Sequence, residues 1–145
     1  MDSRQALGHR DATLAIATIE GELARRGQTA VIAVADAHGE LIALVRLDGA
    51  PVSSVTVATN KAYTAARLRR PTRVLGASIQ TRNIDIGYYG DARYTGFGGG
   101  VPIYAGATVV GAIAVSGLSD AEDEALALQA IGALAPRGLT AEPAR

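Results

Sequence analysis

The sequence contains no cysteine. Disulfide bonds, a thiolate nucleophile and zinc or iron–sulfur sites ligated by thiolates are therefore excluded. Histidine is also scarce, because His9 and His38 are the two imidazoles of the chain. A histidine–carboxylate metal site would need both, and their spacing does not favour one. We therefore predict no metal site, with His38 exposed in a hairpin turn and His9 in a frayed N-terminal position.

The chain also lacks an excess of charge of either sign, since 14 basic side chains balance 14 acidic ones. This balance argues against nucleic acid and anionic membranes as partners. No apolar run approaches the roughly 20 residues that a membrane-spanning helix needs. The first residues, MDSRQALGHRDA, lack the basic and then apolar pattern of a signal peptide. We therefore expect a cytoplasmic protein.

The 145 residues are 48% hydrophobic and 19% charged, which is typical of one domain with one substantial core. We predict a single domain over residues 1–145, with its core in residues 12–134. Residues 135–145 contain two prolines and a glycine and are predicted to form a short C-terminal tail.

The most apolar stretch, residues 98–117, predicts a buried β-hairpin that the rest of the chain must cover. Asp11 is the predicted N-cap of a first helix that ends at Gly27, and a second hairpin follows over residues 30–47. Ser119 and Glu122 form a capping box for a last helix. Neighbouring strands joined by tight turns favour an antiparallel sheet flanked by helices, an α+β fold.

Residues 80–100 show no regular period and are rich in aromatic and charged groups, which in a compact domain is typical of a functional loop. Before this loop, Thr72 is predicted to cap a short helix over residues 73–79. The tyrosines offer flat apolar area with a hydroxyl group, and glycines let a ligand approach the backbone. We predict ligand-binding residues in this loop and on an earlier helix that Pro71 ends: Tyr63, Tyr88, Arg93, Tyr94, Phe97, Gly98, Gly99 and Gly100.

Acid–base chemistry is predicted for Lys61, Tyr89, Asp85 and Asp91. Each choice has a structural alternative. Lys61 either serves a ligand or pairs with Asp36 or Asp48 at the hairpin ends. The tyrosines either line a pocket or fill a subunit interface, and the glycines either admit a ligand or permit close packing. A group of arginines either binds propionates or a phosphate, or forms a solvated helix end: Arg67, Arg69, Arg70 and Arg73.

Six segments resemble the GlcG/HbpS family, also described as a haem-degrading domain family; they fall in the order of that family, and the resemblance spans roughly residues 12–134. A related domain forms the C-terminal part of PduO-type corrinoid adenosyltransferases. The segments are VADAHGEL (34–41), RLDGA (46–50), ATNKAYTA (58–65), GGGVPI (98–103), VGAIAVSG (110–117) and DEALA (123–127).

The resemblance implies a profilin-like sandwich around a five-stranded antiparallel sheet, in a homo-oligomer from a dimer up to an octamer. It also implies that haem or another tetrapyrrole is bound in some members. This chain departs from the family at two places: Glu124 stands where some members carry a histidine, and the first helix, residues 11–26, contains none. Tyrosine also ligates ferric haem, so the tyrosines remain candidates as ligands to the iron.

Three hypotheses for the function follow. The first is a small-molecule-binding domain of the GlcG/HbpS type with a tetrapyrrole ligand. The second is an enzyme on the same scaffold that needs no cofactor and moves protons on an aromatic or polyketide-like substrate. The third is an oligomeric structural or interaction module whose tyrosines lie in the interface.

Overall fold

A computed structural model describes residues 6–145 of the chain. It contains four α-helices, two short 3₁₀ helices and five β-strands within that range. The helices are α1 (His9–Arg26), α2 (Ser53–Leu68), α3 (Thr72–Arg82) and α4 (Asp120–Ala133), and the 3₁₀ helices are Ile86–Tyr89 and Ala135–Arg137. The strands are β1 (Val31–Asp36), β2 (Leu41–Arg46), β3 (Gly100–Ala105), β4 (Thr108–Ser116) and β5 (Leu139–Thr140).

The five strands form one antiparallel sheet in the order β2-β1-β4-β3-β5. The two predicted hairpins are present as β1–β2 and β3–β4, and β1 pairs with β4 to join them. Strand β4 is therefore central, which explains why its residues are apolar on both faces. The α+β class with a five-stranded antiparallel sheet is confirmed.

Helices cover both faces of the sheet. Alternate residues of β1 point to opposite sides, so this one strand contributes to the core on each face. Ile32 and Val34 belong to a core that α1 and α4 close, with Ile19 and Leu126 among its members. Ala33 and its neighbours on the other face pack against small residues of α2. Small side chains on both elements let α2 lie close to the sheet, and this close approach positions the polar residues of α2.

Two helix starts differ from the prediction. Helix α1 begins at His9, and Asp11 lies in its first turn, where its carboxylate accepts a 3.0 Å hydrogen bond from the amide of Gly8. Thr72 is the first residue of α3, and its hydroxyl accepts a 3.0 Å bond from the Gly100 amide. Asp11 and Thr72 therefore both accept hydrogen bonds from backbone amides, but neither residue is the N-cap of its helix. The N-cap positions are occupied by Gly8 and Pro71. The predicted capping box of Ser119 and Glu122 is present.

Residues 91–100, which we call the strap, run from α2 across α3 to the start of β3. The Thr64 hydroxyl accepts a 3.0 Å hydrogen bond from the amide of Thr95 and donates a weak 3.3 Å bond to the carbonyl of Arg93. Gly76 of α3 and Gly96 are so close that a Cβ atom on Gly76 would lie 2.2 Å from the Gly96 carbonyl oxygen. The predicted irregular loop is therefore shorter than expected, since α3 extends to Arg82, and its second half is held against two helices.

The segment predicted as a tail contributes β5, which the sequence pattern did not predict. Leu139 pairs with Ala105 at the edge of the sheet and is 8% exposed. Arg137 ties the same segment to α1 through a 2.7 Å ion pair with Asp11. Among residues 6–145, no helix is long and apolar enough to cross a membrane.

Candidate functional site

Three tyrosines gather where α2, the 3₁₀ helix Ile86–Tyr89 and the strap meet. The ring centroids of Tyr63 and Tyr94 are 5.3 Å apart, and those of Tyr89 and Tyr94 are also 5.3 Å apart. Both pairs are tilted, an arrangement that aromatic rings favour. Arg67, Asp91 and Arg93 contact these rings or their hydroxyl groups. We call the six residues the tyrosine–arginine cluster: Tyr63, Arg67, Tyr89, Asp91, Arg93 and Tyr94.

Tyr63 is the buried centre of the cluster, with 2% of its surface exposed. Its hydroxyl donates a 2.6 Å hydrogen bond to the carboxylate of Asp91. Burial, followed by this bond, raises the pKa of Tyr63 to about 12. Hydrogen bonds from Arg93 and Tyr63 hold the pKa of Asp91 well below its usual range. Tyr63 is thus a hydrogen-bond donor that, together with Arg93, keeps Asp91 in the carboxylate form.

Arg93 contacts the cluster in two ways, through an aromatic ring and through carboxylates. Its guanidinium lies 4.0 Å from the centroid of the Tyr63 ring, within the range of a cation–π contact. The same group forms ion pairs of 3.1 Å with Asp91 and 3.2 Å with Glu40, which follows the β1–β2 turn. Arg93 therefore joins the strap, α2 and the hairpin. Its charge is already balanced by two carboxylates of the same chain, those of Asp91 and Glu40.

Arg67 has a different environment, because its partner is neutral. Its Nε group donates a 3.1 Å hydrogen bond to the hydroxyl of Tyr94, and the guanidinium carbon lies 4.9 Å from the centroid of Tyr63. Within the described residues, no carboxylate forms an ion pair with Arg67. The residue is exposed. Its remaining N–H groups are therefore free to bind an anion from solution.

Two local features bring Tyr63 and Arg67 together: their spacing on α2 and the absence of a side chain at Gly39. Tyr63 and Arg67 are four residues apart on α2, so they lie on the same face of that helix. Gly39, in the β1–β2 turn, rests against both, and a Cβ atom there would lie 2.8 Å from the Tyr63 ring and 3.2 Å from Arg67. The turn therefore needs glycine, both for this contact and for its φ of +88°.

Lys61 lies outside the cluster and points to the other end of the strap. Its ammonium group is buried and donates hydrogen bonds of 2.9 Å to the Val115 carbonyl and 3.1 Å to Asp123. The predicted pairing with Asp36 or Asp48 is wrong, since Asp36 instead accepts bonds from the amides of its own turn. Burial raises the pKa of Asp123, and the charge of Lys61 opposes that change.

The run of glycines covers this buried ion pair. A Cβ atom on Gly99 would lie 2.8 Å from the Lys61 ammonium and 2.7 Å from the Val115 carbonyl oxygen. One on Gly100 would lie 2.5 Å from the carbonyl oxygen of Lys61, and the amide of Gly98 donates a 3.0 Å bond to Asp120. These contacts give the three glycines a packing role. Direct binding of a ligand by them remains a prediction.

The other predicted residues lie apart from both groups. The carboxylate of Asp85 accepts a 2.8 Å bond from the Gly87 amide and so caps its own 3₁₀ helix. Tyr88 is 82% exposed and Phe97 is 58% exposed. The structure thus brings together Tyr63, Tyr89 and Tyr94 with Asp91 and Arg93. It does not place Lys61 or Asp85 among them, and an acid–base role for either remains a prediction.

Sequence reasoning did not identify Glu40 or Asp123, and it noted Arg67 only within a group of arginines. The spacing of Tyr63 and Arg67 on one helix was a signal that could have separated Arg67 from Arg69 and Arg70. No local pattern links Lys61 to Asp123, which lies 62 residues away. Among residues 6–145, no three or more histidine, aspartate or glutamate side chains are grouped so as to hold a bare metal ion.

Comparison with known proteins places the chain among relatives of similar length. Residues 7–132 match the family described as haem degrading protein HbpS-like. An uncharacterized 15.0 kDa protein from the dhaT–dhaS intergenic region of Citrobacter freundii is 35% identical over 106 residues, covering 70% of this chain and 72% of that protein. Protein GlcG of Escherichia coli is 33% identical over 116 residues, covering 80% of this chain and 85% of GlcG.

Solved structures share the fold. A double mutant of Streptomyces reticuli HbpS superposes with a TM-score of 0.83 at 26% identity, covering 92% of this chain and 90% of HbpS. The protein of a structure described as a PduOC:heme complex superposes with a TM-score of 0.86 at 23% identity, covering 95% of this chain and 99% of its own. The match over residues 7–132 and the similarity to GlcG show that the chain belongs to the HbpS-like family.

Proposed function

We propose that this protein binds haem or another tetrapyrrole at the tyrosine–arginine cluster. One observation carries the proposal: Arg67 is exposed, its described partner is the neutral hydroxyl of Tyr94, and it lies beside aromatic rings. A planar guanidinium with free N–H groups suits a carboxylate such as a propionate. The neighbouring rings suit the flat, apolar body of the same ligand.

The cluster suits such a ligand because it offers an uncompensated positive charge and a preorganised surface. The carboxylates of Asp91 and Glu40 are paired with Arg93, so they do not compete for Arg67. The strap that carries Tyr94 is held to α2 by Thr64 on either side of that residue. A ligand therefore meets a prearranged surface and loses little binding energy to ordering it. The description of the matched family and the heme complex of the PduOC neighbour support this class of ligand.

Haemin titration tests the proposal, with the Soret absorbance as the signal. We expect saturable binding by the unaltered protein, and a Kd about tenfold higher for Arg67→Gln, because a hydrogen bond between charged groups is lost. Arg10→Gln is the matched control, since Arg10 is also exposed but lies on α1, on the opposite face of the sheet. The absence of a Soret change, or equal Kd values for both variants, would contradict the proposal.

We also propose that the chain forms a homo-oligomer. Tyr88 and Phe97 are large and mostly exposed, and such aromatic side chains are enriched in protein interfaces. Light scattering coupled to size-exclusion chromatography measures the mass directly. We expect a multimer that dissociates in Tyr88→Ser or Phe97→Ser. A monomer for the unaltered protein would contradict this proposal.

A further inference from the structure

We propose that His38 is the protein ligand of the iron when haem occupies the tyrosine–arginine cluster. The inference rests on the proposed function and adds to it an atom that would bind the metal. Neutral imidazole is a common ligand of haem iron. The question is then which of the two histidines of the chain is placed to reach the cluster.

The position of His38 is set by the β1–β2 turn. The carboxylate of Asp36 accepts bonds of 2.8 Å from the His38 amide and 3.0 Å from the Glu40 amide, and the Asp36 carbonyl accepts a 3.0 Å bond from Gly39. These three bonds hold the backbone on both sides of the histidine. The imidazole is therefore carried by an ordered turn.

That turn rests directly on the cluster. Gly39 packs so closely against Tyr63 and Arg67 that no side chain fits between them. His38 is the adjacent residue, with its Cα atom about 3.8 Å from that of Gly39. Glu40, on the other side of Gly39, forms the 3.2 Å ion pair with Arg93. The histidine is thus followed directly along the chain by two residues that contact the cluster.

The imidazole of His38 is also available. The residue is exposed, and its described hydrogen bonds involve the backbone amide and not the ring. Two phenols that would compete for iron are engaged, since Tyr63 donates to Asp91 and Tyr94 accepts from Arg67. His9 is exposed as well, but it lies in the first turn of α1, on the opposite face of the sheet.

Two probes separate this inference from the proposed function. Haemin contains iron, whereas protoporphyrin IX has the same ring and propionates without it. We expect His38→Ala to raise the Kd of haemin at least tenfold and to leave the Kd of protoporphyrin IX within about twofold. His9→Ala is the control and should change neither value. Both histidines are exposed, so neither substitution removes a buried contact.

Spectroscopy of the ferric complex gives a second readout. The unaltered protein and His9→Ala should share the absorption and electron paramagnetic resonance spectra of imidazole-ligated haem. His38→Ala should lose them, and free imidazole should restore them. Unchanged spectra and an unchanged Kd of haemin in His38→Ala would overturn the inference. In that case, binding of protoporphyrin IX that weakens in Arg67→Gln would leave the proposed function standing, whereas failure of both probes to bind the unaltered protein would reject both.

Discussion

The ammonium group of Lys61 and the carboxylate of Asp123 form a 3.1 Å ion pair in which each side chain is 2% exposed. The pair joins α2 to the first turn of α4. Asp123 also accepts a 3.2 Å bond from the Leu118 amide, and Lys61 donates to Val115 at the end of β4. Two residues therefore organise the junction at which the strap, β4 and α4 meet.

Removing one partner of this pair should destabilise the protein strongly. Lys61→Met leaves the Asp123 carboxylate buried without its cation, so the free energy of unfolding should fall by about 3–5 kcal/mol. Asp123→Asn added to Lys61→Met removes the stranded charge while preserving an acceptor for the Leu118 amide. The double variant should be more stable than Lys61→Met alone. Denaturant unfolding measures all three proteins, and equal stability of the single and double variants would show that the pair is not the cause.

Gly99 is predicted to tolerate no side chain. Its φ of +124° and the 2.7 Å approach of a Cβ atom to the Val115 carbonyl should make Gly99→Ala destabilising by about 2 kcal/mol or more. Gly132→Ala is the matched control, because no heavy atom lies within 4 Å of a Cβ atom at that position of α4. It should gain about 0.5 kcal/mol from helix propensity. A similar loss in both variants would refute the role assigned to Gly99.

The phenol of Tyr63 should ionise at an unusually high pH. Its pKa in the folded protein is about 12, against an ordinary value of 10.0. Between these values the unfolded chain loses the proton while the folded chain keeps it, so the free energy of unfolding should fall as the pH rises from about 10 to 12. The phenolate absorbance of the unaltered protein minus that of Tyr63→Phe isolates this transition. A difference curve centred at or below pH 10 would contradict the prediction.

The contact between Gly76 and Gly96 should hold the strap in place. A Cβ atom on Gly76 would lie 2.2 Å from the Gly96 carbonyl oxygen, so Gly76→Ala must displace one of the two backbones. The Thr95 amide should then lose protection against hydrogen exchange, because its bond to Thr64 depends on the position of the strap. In Gly21→Ala, where a Cβ atom meets nothing within 4 Å, the protection of Thr95 should not change.

Much of the fold was predictable because it follows from local patterns. The apolar run of residues 108–115 indicated a doubly buried strand, and β4 is the centre of the sheet. The Ser119 and Glu122 pair predicted the start of α4 correctly. Strand β5 was missed because two residues carry no period, and its strand conformation depends on pairing with β3.

The candidate site was predictable only in part. Tyr63, Tyr89, Asp91, Arg93 and Tyr94 were identified by residue type, and they do come together. Their neighbours Tyr88 and Phe97 have the same chemistry but are mostly exposed. Residue type indicates what a side chain can bind, whereas its direction depends on the helices against which the strap is packed.

By itself, the sequence determined the order of the four helices and the two hairpins and the kinds of side chain available to a ligand, because these follow from residue type and spacing along the chain. Only the tertiary structure decided that Lys61 forms an ion pair with Asp123. It also decided that Arg67 lies beside the tyrosines without a carboxylate partner among residues 6–145. The physical reason is that partners of a charged group are chosen by proximity in space. Residues separated by 62 positions, such as Lys61 and Asp123, become neighbours only when the sheet and helices have packed.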